Sequence, residues 1–305
     1  MFTGCGTALV TPFRRDQSLD EETLRKLVRR QIAAGINFLV PCGTTGESPT
    51  LTRDEHLRVV AITLEEAKGS KVPVLAGAGG YNTREVVELA HELEKMGADG
   101  ILSVTPYYNK PTPEGVYQHY KAIASAIHLP IVVYSIQGRT GINVEPPTLA
   151  RLAEIDNIVG VKEASGNIAQ MATILHMLPP PDFTVLCGDD PITIALMALG
   201  GRGVISVVAN QIPAEMTRLT EACLKGDFET ARQIQARYFT LMNVNFIEAN
   251  PIPVKAGMAM MGLLELSQGA PVYRLPMCPA SDANLARIEK VLDAAGLLRG
   301  VRVAG

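Results

Sequence analysis

The 305-residue sequence lacks the features of several large classes of protein. No apolar run approaches the roughly 18 residues that a membrane-spanning helix needs, and the N-terminus has no charged region followed by an apolar one. The net charge is −3 and no basic cluster occurs, so nucleic acid is not an expected partner. A soluble, unprocessed, cytoplasmic protein that binds neither membranes nor nucleic acid is therefore predicted.

The sequence also has little cysteine and no spacing typical of a metal site. Its five cysteines are odd in number and never spaced as CxxC, so reduced and mostly buried thiols are expected. The histidines fall mostly in helical segments without an HExxH pattern, which disfavours metal-assisted aldol chemistry. No P-loop or nucleotide fingerprint is present either. We therefore expect a site without a metal.

The sequence does contain a regular alternation of short apolar runs and longer amphipathic runs. A hydrophobic content of 47% is ample for a large core. Eight apolar runs predict strands at Cys5–Val10, Asn37–Pro41, Val72–Ala76, Gly100–Val104, Ile131–Tyr134, Ile158–Lys162, Thr184–Cys187 and Gly203–Val207. Eight strand–helix units fit into about 224 residues, which is near the usual size of a closed (β/α)8 barrel.

An open, doubly wound α/β sheet is the structural alternative. It is disfavoured because no GxGxxG turn follows a strand, and residues 77–82 have asparagine where the third glycine belongs. The sequence therefore predicts a (β/α)8 TIM barrel over residues 1–224. Residues 225–305 predict a C-terminal helical region packed on the barrel, in which Phe228, Ala231, Ile234, Tyr238 and Leu241 form one apolar stripe and Asp282–Ala295 form the last helix. Two helix starts are also predicted, because Thr52 with Glu55 and Asn82 with Glu85 each fit a capping box.

The sixth predicted strand, Ile158–Lys162, ends in a lysine. A period of two residues places Ile158, Gly160 and Lys162 on one face of this strand. An ammonium group at the end of a buried strand must reach water or lose its proton, and a neutral amine is a nucleophile for carbonyl carbon. On this local pattern alone, a lysine that extends to solvent is the commoner alternative.

Other polar groups follow the strand ends, where the reactive groups of such barrels lie. Residues 43–48 place glycines around hydroxyls, which suits a backbone that turns its N–H groups toward an anion, although an ordinary βα turn has the same pattern. The fifth strand ends at Tyr134 and is followed by Arg139. With Lys162, these groups supply what imine chemistry requires: an amine, a proton carrier, donors for a carboxylate and a guanidinium for a second acid.

Taken together, four motifs resemble the dihydrodipicolinate synthase and N-acetylneuraminate lyase family of Schiff-base aldolases. They are residues 43–48, 105–111, 161–166 and 203–210, and the likeness extends over nearly the whole chain. The resemblance implies that Lys162 forms an imine with pyruvate and that no other cofactor is needed. It also implies that Tyr134 is the general acid/base and that Thr45 and Tyr108 complete a proton relay to solvent.

The same resemblance implies how substrates are bound and how subunits assemble. The implied substrate-binding residues are Thr44, Thr45, Arg139, Gly188 and Ile205. In the family, the residue that matches Tyr108 crosses from a neighbouring subunit, which implies a homotetramer built as a dimer of dimers. The family's regulatory site corresponds by position to Ser48, His56, Glu85 and Tyr107. Feedback by lysine stays open, because Arg53 and Tyr81 stand where sensitive members commonly have histidine and asparagine.

Two features are similar to the biosynthetic branch of the family. Arg139 matches the arginine that binds the carboxylate of L-aspartate 4-semialdehyde, and residues 250–255 match that branch as well. The resemblance thus implies a lyase that condenses pyruvate with this semialdehyde to 4-hydroxytetrahydrodipicolinate, in lysine and diaminopimelate biosynthesis. Residues 135–138 depart from the family's Tyr-Asn-x-Pro pattern, since the proline is lost and Gly138 is added, which predicts a looser loop.

Two alternatives to this function remain. The first is another pyruvate-dependent aldolase or lyase, acting on a sugar acid or a hydroxy-oxo acid, which the departure at residues 135–138 motivates. The second is a non-catalytic barrel that binds a keto acid as a sensor. It is disfavoured because Lys162, Tyr134, Thr45 and Tyr108 are all present, and a pure binder would not need them.

Overall fold

The computed structural model describes residues 2–267 and 270–298. The last seven residues of the predicted C-terminal helical region, 299–305, lie outside the described residues. Eight parallel strands are β1 Gly4–Ala8, β2 Phe38–Val40, β3 Leu75–Gly77, β4 Gly100–Val104, β5 Ile131–Ser135, β6 Ile158–Glu163, β7 Thr184–Cys187 and β8 Gly203–Ser206. Their order is β2-β1-β8-β7-β6-β5-β4-β3. A bridge between Leu39 and Val74 joins the two ends of this order, so the predicted (β/α)8 barrel is confirmed.

Helices follow the strands and surround the barrel. They are α1 Glu21–Ala33, α2 Arg53–Ala67, α3 Thr83–Met96, α4 Pro113–Ala126, α5 Gln137–Thr140, α6 Pro146–Ala153, α7 Ile168–Met177, α8 Thr193–Ala198, α9 Pro213–Leu224, α10 Phe228–Val244, α11 Ile252–Met260 and α12 Asp282–Ala294. A short antiparallel pair, β9 Leu266–Ser267 and β10 Ala270–Pro271, lies between α11 and α12. In the described part of the chain, no helix combines the length and apolar character that crossing a membrane requires.

Helix α2 begins where its sequence predicts. The Thr52 hydroxyl accepts from the Glu55 N–H while the Glu55 carboxylate accepts from the Thr52 N–H, so both halves of a capping box are present. Helix α3 does not form the reciprocal box expected at Asn82 and Glu85, because the Asn82 side chain caps the Arg84 N–H and the Glu85 carboxylate accepts from the Asn82 side-chain amide. Two of the helix ends are therefore set by local polar contacts.

The core has two layers. The layer inside the barrel consists of Phe2, Ala8, Phe38, Val40, Leu75, Leu102, Val132, Tyr134, Leu186 and Ile205. A larger layer lies between the strands and the helices, and it includes Ala231, Ile234, Tyr238 and Leu241 of α10, which form the stripe expected from the sequence. Helix α10 thus shares a core with the barrel helices, and the domain boundary at residue 224 stays a prediction.

Strand β6 departs from a simple two-residue period. Ile131 of β5 pairs with Ile158, but the next residue of β5 pairs with Gly160, so the register shifts by one. Ile158 therefore packs in the outer layer, whereas Lys162 lies opposite Tyr134, which belongs to the inner layer. The prediction that Ile158 and Lys162 share a face was wrong, because an irregularity in the ladder reverses the alternation of side chains.

Candidate active site

A cavity of about 750 Å³ lies at the C-terminal ends of the strands, where barrels of this kind carry their reactive groups. The predicted site residues that line it are Thr44, Thr45, Tyr134, Arg139, Lys162 and Gly188. We call it the lysine cavity. Residues that are far apart in the chain and were predicted from separate motifs thus meet in one place.

Lys162 enters this cavity from the barrel side. Its side chain is 5% exposed, and Nζ lies 4.2 Å from the centre of the Tyr134 ring on the neighbouring strand. Among the described residues, no carboxylate forms an ion pair with this amine. The alternative of a lysine extended into solvent is therefore wrong, and the nitrogen is directed at the space that Tyr134 borders.

Gly188 and Ile205 shape the walls around the lysine. A Cβ at position 188 would lie 2.5 Å from the Cβ of Ala164 and 3.1 Å from the Cε of Lys162, so only glycine leaves room here. Ile205 is buried on β8 and belongs to the same inner layer as Tyr134. Ile205 does not line the lysine cavity, and its predicted contact with substrate stays a prediction.

The loop of residues 43–48, between β2 and α2, is held by groups that the sequence did not assign. The Thr45 hydroxyl is buried and accepts a hydrogen bond of 2.9 Å from Asn250 Nδ2. Glu47 has a left-handed backbone with φ of 53°, and its buried carboxylate pairs with Lys255 Nζ at 2.6 Å. The only sequence signal for these contacts was the 250–255 motif, which was noted for its family likeness.

Arg139 reaches the rim of the lysine cavity from α5. This short helix is capped at its C-terminus by Gly141, whose φ of 70° is left-handed, and the Arg139 Nη2 donates to the Asn250 carbonyl at 3.2 Å. The residues that depart from the family pattern thus form the end of β5 and the start of α5. Greater mobility of this segment stays a prediction.

Tyr108 is not brought to the lysine cavity by this chain alone. Its side chain is 86% exposed, and it borders a separate depression that it shares with Tyr107 and Arg139. The nearby Tyr81 ring lies 6.5 Å away between centroids. A relay from Tyr134 through Thr45 to Tyr108 is therefore not complete within one chain.

A second cavity of about 270 Å³ adjoins the first, since Thr44, Tyr134 and Arg139 line both. Of the predicted regulatory residues, Ser48, His56 and Tyr107 line this second cavity, whereas Glu85 lies on α3 and does not. The His56 Nε2 is 2.8 Å from the Gly77 carbonyl oxygen, and burial lowers the pKa of this imidazole to about 4. His56 is thus neutral at pH 7. Burial also raises the pKa of Tyr107, with the nearby Tyr81 and Glu85 as smaller causes.

The other groups able to bind metals are dispersed. His56, His91, His119 and His176 lie on four different helices, and among the described residues no three metal-binding side chains come together. The absence of a metal from the site stays a prediction. Four of the five cysteines are buried, as expected, and no disulfide joins any of them in the described part of the chain. Their reduced state stays a prediction.

Nearly the whole chain is similar to known proteins. The dihydrodipicolinate synthetase family model matches residues 1–295. The 4-hydroxy-tetrahydrodipicolinate synthase of Koribacter versatilis (strain Ellin345) is 51% identical over 302 residues, which cover 99% of this chain and 98% of that protein.

Two solved structures have the same fold. Chloride-inhibited dihydrodipicolinate synthase from Acinetobacter baumannii, complexed with pyruvate, is 40% identical with a TM-score of 0.93, over 97% of this chain and 100% of that one. A structure described as the first monomeric dihydrodipicolinate synthase variant is 45% identical with a TM-score of 0.93, over 97% and 98% of the two chains. The resemblance inferred from the motifs is confirmed: the chain belongs to the dihydrodipicolinate synthetase family.

Proposed function

We propose that this chain catalyses the condensation of pyruvate with L-aspartate 4-semialdehyde to give 4-hydroxytetrahydrodipicolinate, in lysine and diaminopimelate biosynthesis. The observation that carries the proposal is the Lys162 amine, buried in the lysine cavity and 4.2 Å from the centre of the Tyr134 ring. A relative with half of its residues identical over nearly the whole chain bears the name of this synthase. The enzyme is a lyase of the class I aldolase type.

The first half of the reaction uses Lys162 as a nucleophile. The Nζ lone pair attacks C2 of pyruvate to form a carbinolamine, which loses water to leave an imine. Tyr134 donates a proton to the departing hydroxyl, and proton loss from C3 then gives an enamine. Thr44 and Thr45 hold the carboxylate of pyruvate at the wall of the cavity. Because the protonated imine accepts the electrons, the proposed chemistry needs no added cofactor.

The second half joins the two substrates. The enamine carbon attacks the aldehyde carbon of the semialdehyde, and Arg139 at the rim binds the carboxylate of that substrate by charge-assisted hydrogen bonds. Arg139 is exposed, and within the described part of the chain its guanidinium donates from Nη2 alone, to the Asn250 carbonyl. Its other N–H groups can therefore reach a carboxylate. The amino group that came from the semialdehyde then attacks the imine carbon and closes the ring, and cleavage of the bond between that carbon and Nζ returns Lys162 to its free form.

Trapping with borohydride tests the imine. Reduction in the presence of pyruvate is expected to add one reduced pyruvyl group at Lys162, located by peptide mass, and to abolish activity. The variant Lys162→Met should form no adduct, whereas the control Lys121→Met on α4 should form it normally. Absence of an adduct in the native chain would favour a barrel that only binds keto acids.

Turnover tests the second substrate. In an assay coupled to a reductase that acts on the product, the native chain should consume the semialdehyde. The variant Arg139→Met should have a higher KM for the semialdehyde and an unchanged KM for pyruvate. An imine adduct without semialdehyde turnover would instead identify another pyruvate-dependent aldolase or lyase, which a panel of sugar acids and hydroxy-oxo acids would reveal.

We also propose that the chain acts as a cytoplasmic homotetramer, in which Tyr108 of one subunit completes the proton relay of another. The support is the exposure of Tyr108 and its separation from the lysine cavity of its own chain. Mixing Lys162→Ala with Tyr108→Ala subunits tests this directly. If Tyr108 acts between chains, one site of each mixed pair regains both groups and activity returns. If mixing restores nothing, the relay does not cross between subunits. Sedimentation of the native chain measures the assembly itself.

A further inference from the structure

The backbone N–H groups of Thr44 and Thr45 are available to a ligand. Within the described part of the chain neither group donates a hydrogen bond, and both residues line the lysine cavity. Two successive N–H groups at a turn form a concave site that attracts an anion. The carboxylate of pyruvate is the anion that the proposed function brings to this wall, so the conformation of the 43–48 loop decides how well pyruvate binds.

The loop has an uncommon backbone conformation near its end. Glu47 has φ of 53° and ψ of 34°, which is the left-handed region. Few residues other than glycine adopt this conformation, and asparagine does so several times more often than most. The Glu47 N–H donates to the Thr44 carbonyl at 3.1 Å. Because the turn closes between these two residues, a change of φ at Glu47 would move the free N–H groups of the loop.

The Glu47 side chain is held by one cation. Lys255 Nζ donates to Glu47 Oε1 at 2.6 Å, and both residues are at most 3% exposed. The other carboxylate oxygen, Oε2, is buried and has no hydrogen-bond partner among the described residues. In this part of the chain, the orientation of the carboxylate therefore depends on Lys255.

Lys255 in turn has little freedom to move. Its ammonium also donates to the carbonyls of Thr11, after β1, and Val272, after β10, so all three of its N–H groups are used. The centres of the Phe13 and Tyr273 rings lie 4.6 and 5.1 Å from Nζ. The ammonium therefore anchors its carboxylate partner to parts of the protein outside the loop.

We propose that Glu47 and Lys255 are positioning residues for pyruvate: their contact keeps Glu47 left-handed and so directs two backbone N–H groups of the 43–48 loop at the substrate carboxylate. The inference rests on the proposed binding of pyruvate in the lysine cavity. The contact acts on binding rather than on the chemical step, because it involves neither Lys162 nor the reacting carbon. Its loss should therefore raise the KM for pyruvate and leave kcat unchanged.

Two double variants separate backbone conformation from packing. Glu47→Gln with Lys255→Met keeps the length of the glutamate side chain, whereas Glu47→Asn with Lys255→Met shortens it but favours the left-handed region. Both remove the two buried charges. In the glutamine variant we expect the KM for pyruvate to rise by roughly 10-fold, the effect of losing one hydrogen bond to a charged group. In the asparagine variant the KM should stay closer to the native value.

Three results would overturn the inference. An unchanged KM for pyruvate in the glutamine variant would show that the pair only stabilises the fold. An equal or higher KM in the asparagine variant would show that side-chain volume matters rather than conformation. A lower kcat at an unchanged KM would place the effect in the chemical step.

A control variant separates binding of pyruvate from stability. Glu66→Gln breaks the ion pairs of α2 with Arg25 and Arg29 and leaves the 43–48 loop in place. It should have the KM for pyruvate of the native chain. If its KM rises as much as that of the glutamine double variant, a general loss of stability is the cause and the inference fails.

Single variants cover the case in which Lys255→Met does not fold in either pair. Glu47→Gln and Glu47→Met have side chains of similar length, but only the amide oxygen is a good acceptor for Lys255 Nζ. The KM for pyruvate should rise in Glu47→Met and stay near the native value in Glu47→Gln, and equal values would overturn the inference.

The native chain tests the proposed function separately. If borohydride traps no pyruvate on the native chain, that function fails and this inference fails with it. If the adduct forms and the variants give any of the contrary results, the inference alone fails and the proposed function stands.

Discussion

At the scale of single residues, the lysine cavity depends on which side chains point inward from neighbouring strands. Tyr134 and Lys162 are register partners on β5 and β6, and Lys162 is likewise the partner of Leu186 on β7. Partners in a ladder have their side chains on the same side of the sheet. The amine and the phenol are therefore brought together by strand pairing, and the space beside them is kept open by Gly188.

Gly188→Ala should disturb the amine without removing it. The new Cβ would meet Lys162 Cε at 3.1 Å and Ala164 Cβ at 2.5 Å, so the lysine must move from its position. We expect kcat/KM for pyruvate to fall by roughly 10- to 100-fold, because a displacement of the reacting atom by about 1 Å has effects of this size. The control is Gly80→Ala, whose Cβ would contact only Val86, at 3.3 Å. If Gly188→Ala and Gly80→Ala had the same kcat/KM for pyruvate, the space at Gly188 would not be needed to position Lys162.

At the scale of elements, α11 and the 43–48 loop are joined by a buried ion pair. Lys255 Nζ contacts Glu47 Oε1 and also donates to the carbonyls of Thr11 and Val272, at 3.2 and 2.8 Å. Burial lowers the pKa of Lys255, and the charge of Glu47 opposes this shift. Two charges removed from water stabilise the fold only as long as they remain paired.

Lys255→Met should therefore be strongly destabilising. It leaves the Glu47 carboxylate buried without its cation, and the expected loss is about 3 to 5 kcal/mol of the free energy of unfolding. The double variant Glu47→Gln with Lys255→Met removes both charges and should recover most of this loss. Unfolding in urea, followed by far-ultraviolet circular dichroism, measures both. A double variant no more stable than Lys255→Met would show that the packing of the lysine side chain, rather than its charge, is what matters.

At the scale of the whole molecule, buried ionisable groups make stability depend on pH. Burial lowers the pKa of His56 and of His119 from 6.5 to about 4 in each case. As the pH falls, the unfolded chain protonates these two imidazoles before the folded chain does. The free energy of unfolding that the neutral imidazoles contribute is therefore fully present above pH 6.5 and is lost as the pH falls toward 4. Asp190 acts in the opposite direction, because burial raises its pKa from 3.8 to about 6 and stability is lost as pH rises through that window.

His119→Gln isolates one of these contributions. Its imidazole is buried on α4, with Nδ1 2.9 Å from the Thr83 hydroxyl and the ring against Tyr120. When the pH is lowered from 7.5 to 4.5, the free energy of unfolding of the variant should rise relative to that of the native chain by up to about 3 kcal/mol. This is the free energy that corresponds to the lowered pKa of His119. Urea midpoints at a series of pH values measure this difference. The control is His176→Gln on α7, which removes an exposed histidine and leaves the buried imidazoles in place.

Much of the fold was determined by local sequence pattern. The eight apolar runs became the eight barrel strands, and the Thr52 capping box begins α2 as expected. These features depend on residues close together in the chain, and their preferences are strong enough to survive in the folded protein. Most of the predicted catalytic and substrate-binding residues, which were placed at strand ends, also met in one cavity, because the C-terminal ends of parallel strands lie at one face of a barrel.

Tertiary structure decided the rest. The register shift beside Ile131, which separates Ile158 from the face of Lys162, depends on how two strands pair and has no local signal. The contact from Asn250 to Thr45 joins residues 205 positions apart, and Tyr108 is left outside the cavity that its motif predicts it to serve. Local pattern thus determined which segments become strands and helices and which side chains can do chemistry. Packing alone decided which of those side chains meet, since contacts between distant segments form only when the barrel closes.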